Sequence, residues 1–258
     1  METISAAALL PRDETNNQNG LFASTSWTVV FDAAQSKLSP TRARTALAQL
    51  CALYWRPLYL FLRRQGYNSD DAQDLTQDFF AHIIEARLFA RAEPARGRFR
   101  SFLLGALKRF LNENRNRQRA QKRGGGIAPL PLDEAAIAEA DAQNVRCENW
   151  SPDRTYEREW ALALLRRVIE TLEGEHRLSG KQVLFDSLKS YLAAGSEKTL
   201  PYQELSTRLL RPVATLRSDV ARLRTRYRAI LREEVRSTVS DVDEIEEELR
   251  HLRAVMAS

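Results

Sequence analysis

The spacing of apolar residues constrains this chain of 258 residues more than any other feature of its sequence. Apolar positions recur every three or four residues over long stretches, as they do on the buried face of an α-helix. The run of residues 41–65 is typical, although Pro57 inside it predicts a kink or a division into two short helices. No stretch of useful length alternates apolar and polar residues as a strand does, so we predict an all-α protein.

Changes in composition predict two helical domains joined by an acidic flexible linker. The polar residues 1–25 form a disordered leader, and residues 26–123 form the first domain. The linker covers residues 124–154, which contain three consecutive glycines, three prolines and several acidic residues. Residues 155–236 form the second domain, and residues 237–258 form an acidic C-terminal helical tail.

The sequence lacks the residue patterns that most enzymes and metal proteins require. Its two cysteines, Cys51 and Cys147, cannot form a disulfide scaffold or a C-x-x-C zinc pair. It contains no G-x-S-x-G, no Gly-rich phosphate loop that ends in Lys-Ser or Lys-Thr, and no H-E-x-x-H. We therefore expect a protein that is not an enzyme and that needs no cofactor or metal.

Hydropathy and the N-terminal residues argue against membrane insertion and export. No segment approaches the roughly 18 consecutive apolar residues of a membrane span. The first ten residues lack the basic region of a signal peptide. We therefore expect a cytoplasmic protein that does not bind a membrane.

Two helical segments in the second domain have the spacing of a helix-turn-helix, and the net charge of +5 permits a nucleic-acid partner. Residues 202–210 are followed by Arg211-Pro212, which breaks the helix, and then by a long basic helix. The first turns of such a second helix meet base edges of DNA. The alternative is a solvated basic helix in an αα-hairpin. The residues expected on the outer face are Thr215, Arg217, Ser218, Ala221 and Arg222, with Arg224, Arg226 and Arg228 near phosphates.

The helix predicted over residues 98–121 interleaves aromatic residues with cations. Rings can stack on unpaired bases, guanidinium groups can hold phosphates, and amides can hydrogen-bond base edges. The alternative is that most of these aromatic residues form the apolar stripe that packs in the core. The aromatic, cationic and amide residues of residues 98–123 include Arg98, Phe99, Arg100, Phe102, Lys108, Arg109, Asn112, Asn114, Arg115, Arg117, Arg119, Lys122 and Arg123.

Residues 70–80 place an acidic face on a helix of the basic first domain. Its apolar stripe begins at Leu75, whereas Asp74 and Asp78 fall on another face. An acidic face disfavours DNA and favours a protein partner with a basic patch. The alternatives are an ordinary solvated helix face and a metal site at Asp78 and His82, for which the sequence offers no further ligand.

Together these three motifs, in this order, resemble a bacterial RNA polymerase sigma factor of the extracytoplasmic-function type. The likeness covers residues 40–125 and 155–236. Residues 70–80 are similar to region 2.2 of that family, residues 99–112 to regions 2.3 and 2.4, and residues 212–228 to the recognition helix of region 4.2.

The resemblance implies a role for each motif. Region 2.2 docks on the clamp coiled coil of the polymerase β′ subunit, and the matching positions are Gln73, Asp74, Gln77, Asp78 and Phe80. Regions 2.3 and 2.4 melt and read the minus-ten element, here through Arg98, Phe99, Arg100, Phe102, Lys108, Arg109 and Asn112. Region 4.2 reads the minus-thirty-five element, here through Thr215, Arg217, Ser218, Ala221, Arg222, Arg224 and Arg226.

The partners that the resemblance implies are core RNA polymerase, contacted at the β′ clamp coiled coil and the β flap, and promoter DNA. An anti-sigma factor is a further candidate. In the family the linker threads polymerase channels, and the acidic residues 133–141 are compatible with nucleic-acid mimicry there.

Two other functions are compatible with the residues. One is a stand-alone helix-turn-helix regulator that acts without polymerase, although no long heptad seam for a dimer is present. The other is a metal-dependent nuclease. Its candidate ligands are Asp70, Asp71, Asp74 and Asp78.

Overall fold

The computed structural model confirms the all-α prediction for the part of the chain that it describes. Every regular element there is helical, and no strand occurs among those residues. No helix within them is long and apolar enough to cross a membrane. The predicted leader lies outside the described residues, which are 40–85, 98–120, 133–145, 150–192, 199–236, 238–239 and 241–257.

Nine α-helices and two short 3₁₀ helices occur within these residues. The α-helices are α1 Pro40–Arg64, α2 Ser69–Glu85, α3 Phe99–Ala120, α4 Glu134–Val145, α5 Pro152–Leu178, α6 Gln182–Leu188, α7 Tyr202–Leu209, α8 Val213–Arg236 and α9 Ile245–Ala257. The 3₁₀ helices are Lys189–Leu192 and Val242–Glu244.

The chain divides into two compact units at positions that differ from the predicted domain boundaries. Unit 1 combines Met1–Ala163 with Arg236–Ser258, and unit 2 is Leu164–Val235. The described parts of the predicted linker and of the predicted tail therefore belong to unit 1. The division at Leu164 falls inside α5, whereas the sequence predicts a boundary before residue 155.

The core of unit 1 contains large apolar side chains from α1, α2, α3, α5 and α9. The rings of Tyr54 and Phe99 meet edge to face, with their centroids 5.4 Å apart. Burial of side chains of this size contributes about 1.5–3 kcal/mol each. The buried set includes Leu58, Phe61, Phe79, Ile83, Leu103, Leu107, Tyr156, Trp160, Ile245 and Leu252.

The acidic segment that was expected to be a flexible linker contains a packed helix, α4. Its Ile137 and Ala140 are buried. Its Asp141 accepts hydrogen bonds from the hydroxyl of Tyr59 (2.9 Å) and from Nε of Arg63 (2.7 Å). The prediction of flexibility is therefore wrong for α4, because apolar contacts and a shared carboxylate hold it in unit 1.

Unit 2 has its own apolar core. Val168 and Leu172 of α5 are buried, as are Phe185 of α6 and Ile230 of α8. Val168 and Leu172 lie one helical turn apart, so α5 turns an apolar face inward in this unit.

Three local features explain where the helices begin and end. Asn68 caps α2, because its Oδ1 accepts the N–H of Asp71 over 2.8 Å. The helix α5 ends before Gly180, which has a φ of 66° that glycine adopts without strain. Pro57 lies inside the single helix α1, so of the two expected alternatives, a kink or a division into two helices, the division does not occur. Buried residues on both sides of Pro57, among them Tyr54 and Phe61, hold the single helix in the core.

Candidate functional site

Unit 2 contains two helices joined by a three-residue turn, as the helix-turn-helix spacing predicts. After α7, Leu210 adopts a left-handed conformation with a φ of 52° and a ψ of 43°. The N–H of Arg211 then donates to the C=O of Ser206 over 3.2 Å, and the Ser206 hydroxyl donates to the C=O of Arg211. This closure is typical of a Schellman helix end, and α8 begins immediately after Pro212.

The apolar residues of α7 and α8 orient the second helix. Leu205 of α7 is buried, as are Leu216, Val220 and Leu223 of α8. Their spacing of three and four residues defines the inner face of α8. The opposite face of α8 is therefore the one that solvent or a ligand can reach.

All seven α8 residues expected to contact the minus-thirty-five element are exposed. The guanidinium carbon of Arg217 lies 5.6 Å from the centroid of the Tyr202 ring, which holds the side chain near the start of α7. A side chain held in this way loses less conformational freedom when it binds a ligand. The seven residues are Thr215, Arg217, Ser218, Ala221, Arg222, Arg224 and Arg226.

Asp219 connects the turn to the exposed face of α8. Its carboxylate lies 3.1 Å from an Nη of Arg211, and it also pairs with Arg222. The Asp219 side chain is largely buried, so it orients two cations that remain accessible. Arg211 and Asp219 were not among the residues expected at this site. The i, i+3 spacing of Asp219 and Arg222 was the available signal for one of the two pairs.

Arg224 and Arg226 bind groups of unit 2 itself. Nε and an Nη of Arg224 donate to the C=O of Tyr191 over 3.0 Å and 2.8 Å. Nε of Arg226 donates to Glu175 over 2.8 Å, and this hydrogen bond lowers the pKa of Glu175. These two arginines are exposed, but their donors are partly used. Any phosphate contact by these two arginines would therefore compete with contacts that they already make inside unit 2.

In unit 1, α3 buries two of the residues that were expected to contact the minus-ten element. Phe99 is 0% exposed and Arg100 is 3% exposed. Nε of Arg100 donates to Glu157 over 2.8 Å, and its guanidinium carbon lies 4.3 Å from the centroid of the Trp160 ring. Neither residue can touch DNA in this conformation, because both side chains are buried, and Arg100 is covered by residues of α5 and α9. Sequence periodicity cannot reveal such a cover, since it comes from distant segments.

The other candidate residues of α3 are more accessible. Phe102 is half-buried, and Arg109 and Asn112 are exposed. Phe102 and Arg109 lie within about 20° of each other around the helix, and Asn112 lies about 60° further on. Lys108 is exposed and pairs with Asp153. Phe102, Arg109 and Asn112 therefore line one accessible side of α3.

The acidic face of α2 is narrower than expected. Asp74 and Asp78 are exposed and Gln73 is half-buried, whereas Gln77 and Phe80 are buried. The pKa of Asp78 is raised, mainly because its carboxyl group is partly desolvated and to a smaller extent because the Asp74 carboxylate repels its charged form. The expectation that Gln77 and Phe80 touch a partner is wrong for this conformation, because both side chains pack inside unit 1.

The described residues contain no group of three or more His, Cys, Asp or Glu side chains that could hold a metal ion. The ring of His82 packs against Phe110, with their centroids 5.4 Å apart. Asp71 accepts a hydrogen bond from Nδ2 of Asn68 over 2.8 Å, so it stabilises the start of α2. This part of the chain therefore offers no support for the nuclease alternative.

No protein-family model, no curated protein and no solved structure matches this chain.

Proposed function

We propose that this chain is a sigma factor of the extracytoplasmic-function type. It binds core RNA polymerase, recruits it to promoters and opens the minus-ten region, and it catalyses no reaction itself. In this proposal unit 2 contacts the minus-thirty-five element and the β flap, and unit 1 contacts the minus-ten strand and the β′ clamp coiled coil. The protein acts in the cytoplasm.

The observation that carries the proposal is the exposed N-terminal part of α8. Thr215, Arg217, Ser218 and Arg222 lie outward in the first turns of a helix that follows a tight turn. This is the part of a recognition helix that meets base edges in the major groove. Arginine and serine side chains supply donors that suit guanine and phosphate.

Two features of unit 1 favour a sigma factor over a stand-alone regulator. Asp74 and Asp78 form an exposed acidic pair on α2, which suits a basic protein surface and repels DNA. Phe102, Arg109 and Asn112 on α3 combine a ring, a cation and an amide, which suits unpaired bases. A regulator that acts without polymerase needs neither feature.

Charge reversal on α2 tests polymerase binding. We expect Asp74→Arg combined with Asp78→Arg to abolish co-elution with core polymerase, because two repulsive contacts replace two attractive ones. The matched control is Glu134→Arg combined with Asp243→Arg, which makes the same change of charge at two exposed carboxylates of unit 1. Circular dichroism checks that both double variants keep their helical content.

Unchanged co-elution of the α2 double variant would remove the assigned docking surface. Loss of co-elution in both variants would show that net charge, rather than the α2 face, controls binding. Failure of the unmodified chain to bind core polymerase, with duplex DNA still bound, would favour the stand-alone regulator.

A further inference from the structure

The C-terminal helix α9 combines an acidic beginning with an apolar face. Residues 241–248 contain six acidic side chains. Ile245, Leu249 and Leu252 follow at helical spacing and are buried in unit 1. The helix is therefore anchored by its apolar side and brings a concentrated negative charge to the position where it docks.

That negative charge lies against the first residues of α3. Nε of Arg98 is 2.8 Å from Oε2 of Glu248, and an Nη of Arg98 is 3.0 Å from Oε1 of Glu247. Arg100 pairs with the other oxygen of Glu248, which is 0% exposed. One buried carboxylate thus binds both arginines at the start of α3.

Further contacts hold α9 beside these arginines. Nε2 of His251 lies 2.9 Å from the Glu157 oxygen that also accepts Nε of Arg100. An Nη of Arg158 donates to the C=O of Val255 over 3.4 Å. Polar contacts at His251 and Val255 therefore tie the C-terminal half of α9 to α5, in addition to the ion pairs at its beginning.

We propose that α9 is an intramolecular cover that blocks nucleic-acid binding by Arg98 and Arg100. The carboxylates of Glu247 and Glu248 form ion pairs with Arg98, and Glu248 also pairs with an Nη of Arg100, while Nε of Arg100 stays with Glu157. Phosphates would compete for these same charges, and the remaining acidic residues of the segment repel a nucleic-acid backbone. This inference depends on the proposed function in one respect, since it takes the start of α3 as a contact for the minus-ten strand.

The cover has a quantitative consequence. If only the fraction of molecules with α9 detached can bind through Arg98 and Arg100, the apparent dissociation constant equals the intrinsic constant divided by that fraction. Any change that loosens α9 without removing the arginines must therefore increase affinity for a single strand. A helix that served only as a structural brace would give no such increase.

Leu252→Ala tests this relation in the full-length chain. The substitution removes a buried apolar anchor of α9 and leaves every charge in place, so we expect affinity for single-stranded DNA to rise on the order of tenfold or more. The control is Val242→Ala, an apolar truncation at an exposed position of the same segment, which should leave affinity unchanged. The probe is a fluorescein-labelled random-sequence oligonucleotide of about 12 nucleotides, followed by anisotropy.

Two further variants identify the source of the gain. Deletion of residues 237–258 should raise affinity at least as much as Leu252→Ala, and a synthetic peptide of those residues should reverse the gain. Arg98→Gln in the Leu252→Ala background should remove most of it. Hydrogen exchange of the α9 amides reports independently that the helix has detached.

The inference is overturned if exchange shows α9 detached in Leu252→Ala while affinity for the oligonucleotide stays within about twofold of the unmodified chain. It is also overturned if Arg98→Gln leaves the gain intact. If the deletion variant loses its helical circular dichroism, Leu252→Ala alone decides the outcome. These assays contain no polymerase, so a gain that depends on Arg98 would stand even if the chain failed to direct transcription.

Discussion

Arg217 and Arg224 lie two turns apart on the exposed side of α8, yet the structure predicts opposite consequences for their removal. The guanidinium group of Arg217 lies over the face of the Tyr202 ring, whereas Arg224 donates two hydrogen bonds to the C=O of Tyr191. We predict that Arg217→Ala lowers the affinity for DNA and that Arg224→Ala lowers the free energy of unfolding.

The magnitudes follow from these contacts. An exposed cation–π contact is worth about 0.5–1 kcal/mol, so Arg217→Ala should lower the free energy of unfolding by less than about 1 kcal/mol. The same substitution should lower DNA affinity by about 1–3 kcal/mol if the guanidinium binds a base with two hydrogen bonds. Arg224→Ala removes two charge-assisted hydrogen bonds to one carbonyl, which should lower the free energy of unfolding by about 1.5–3 kcal/mol.

The assay pairs urea unfolding with fluorescence anisotropy for the unmodified chain and for both variants. The DNA is a duplex selected by the unmodified chain from a random library, with a scrambled duplex of the same composition as the control. Arg217→Ala should lose affinity on the selected duplex and much less on the scrambled one. Under conditions in which the Arg224→Ala variant is folded, its affinity for the selected duplex should stay within about threefold of that of the unmodified chain.

Equal loss on the selected and scrambled duplexes would refute base reading by Arg217, since phosphate contacts carry no sequence information. A full loss of DNA affinity in folded Arg224→Ala, with unchanged stability, would refute the argument that its donors are used within unit 2.

Three further predictions follow from particular residues. Leu210 is 90% exposed and has a left-handed backbone conformation. Leu210→Gly should therefore relieve backbone strain and raise the free energy of unfolding by about 0.5–1 kcal/mol, as measured by urea titration. The control Ala229→Gly, at an exposed position inside α8, should lower the free energy of unfolding by about 1 kcal/mol. Burial raises the pKa of Cys51 to about 12, so at pH 8 iodoacetamide should label it at least about tenfold more slowly in the native chain than in urea, as read by mass spectrometry. The hydrogen bond from Arg226 lowers the pKa of Glu175, so this pair stabilises the fold above the ordinary pKa of a carboxyl group and loses that contribution as pH falls through the lowered value. Glu175→Gln should therefore lose less stability than the unmodified chain between about pH 5 and pH 3 in urea titrations.

The helices were predictable because their signal is local. The helix expected over residues 98–121 is α3, Phe99–Ala120, and the turn at Arg211-Pro212 separates α7 from α8 as expected. Apolar spacing and helix-breaking residues act within a few positions of the chain, so one sequence suffices to detect them.

The burial of individual candidate residues was not predictable, because it depends on distant segments. Arg100 pairs with Glu248, which is 148 positions further along the chain. Arg224 donates to Tyr191, 33 positions before it. Helical periodicity marks one side of α3 and α8 as polar, but it cannot identify which partner from elsewhere in the unit occupies that side.

The packing of the acidic segments was not predictable for a related physical reason. Composition suggested a flexible linker and a helical tail, but it did not show that α4 and α9 each carry apolar side chains that are buried in unit 1. Asp141 accepts hydrogen bonds from Tyr59 of α1 and Ser69 of α2, and Glu248 accepts one from Arg100 of α3, so their charge is compensated inside unit 1. Acidic composition alone cannot distinguish a solvated segment from one whose carboxylates meet arginines.

The most direct test of the central proposal is run-off transcription with purified bacterial core polymerase on a library of genomic fragments, with and without this protein. We predict defined start sites that appear only when the protein is present, preceded by a shared pair of upstream motifs. Start sites that are identical with and without the protein, together with no co-elution with core polymerase, would contradict a sigma factor and leave a DNA-binding regulator.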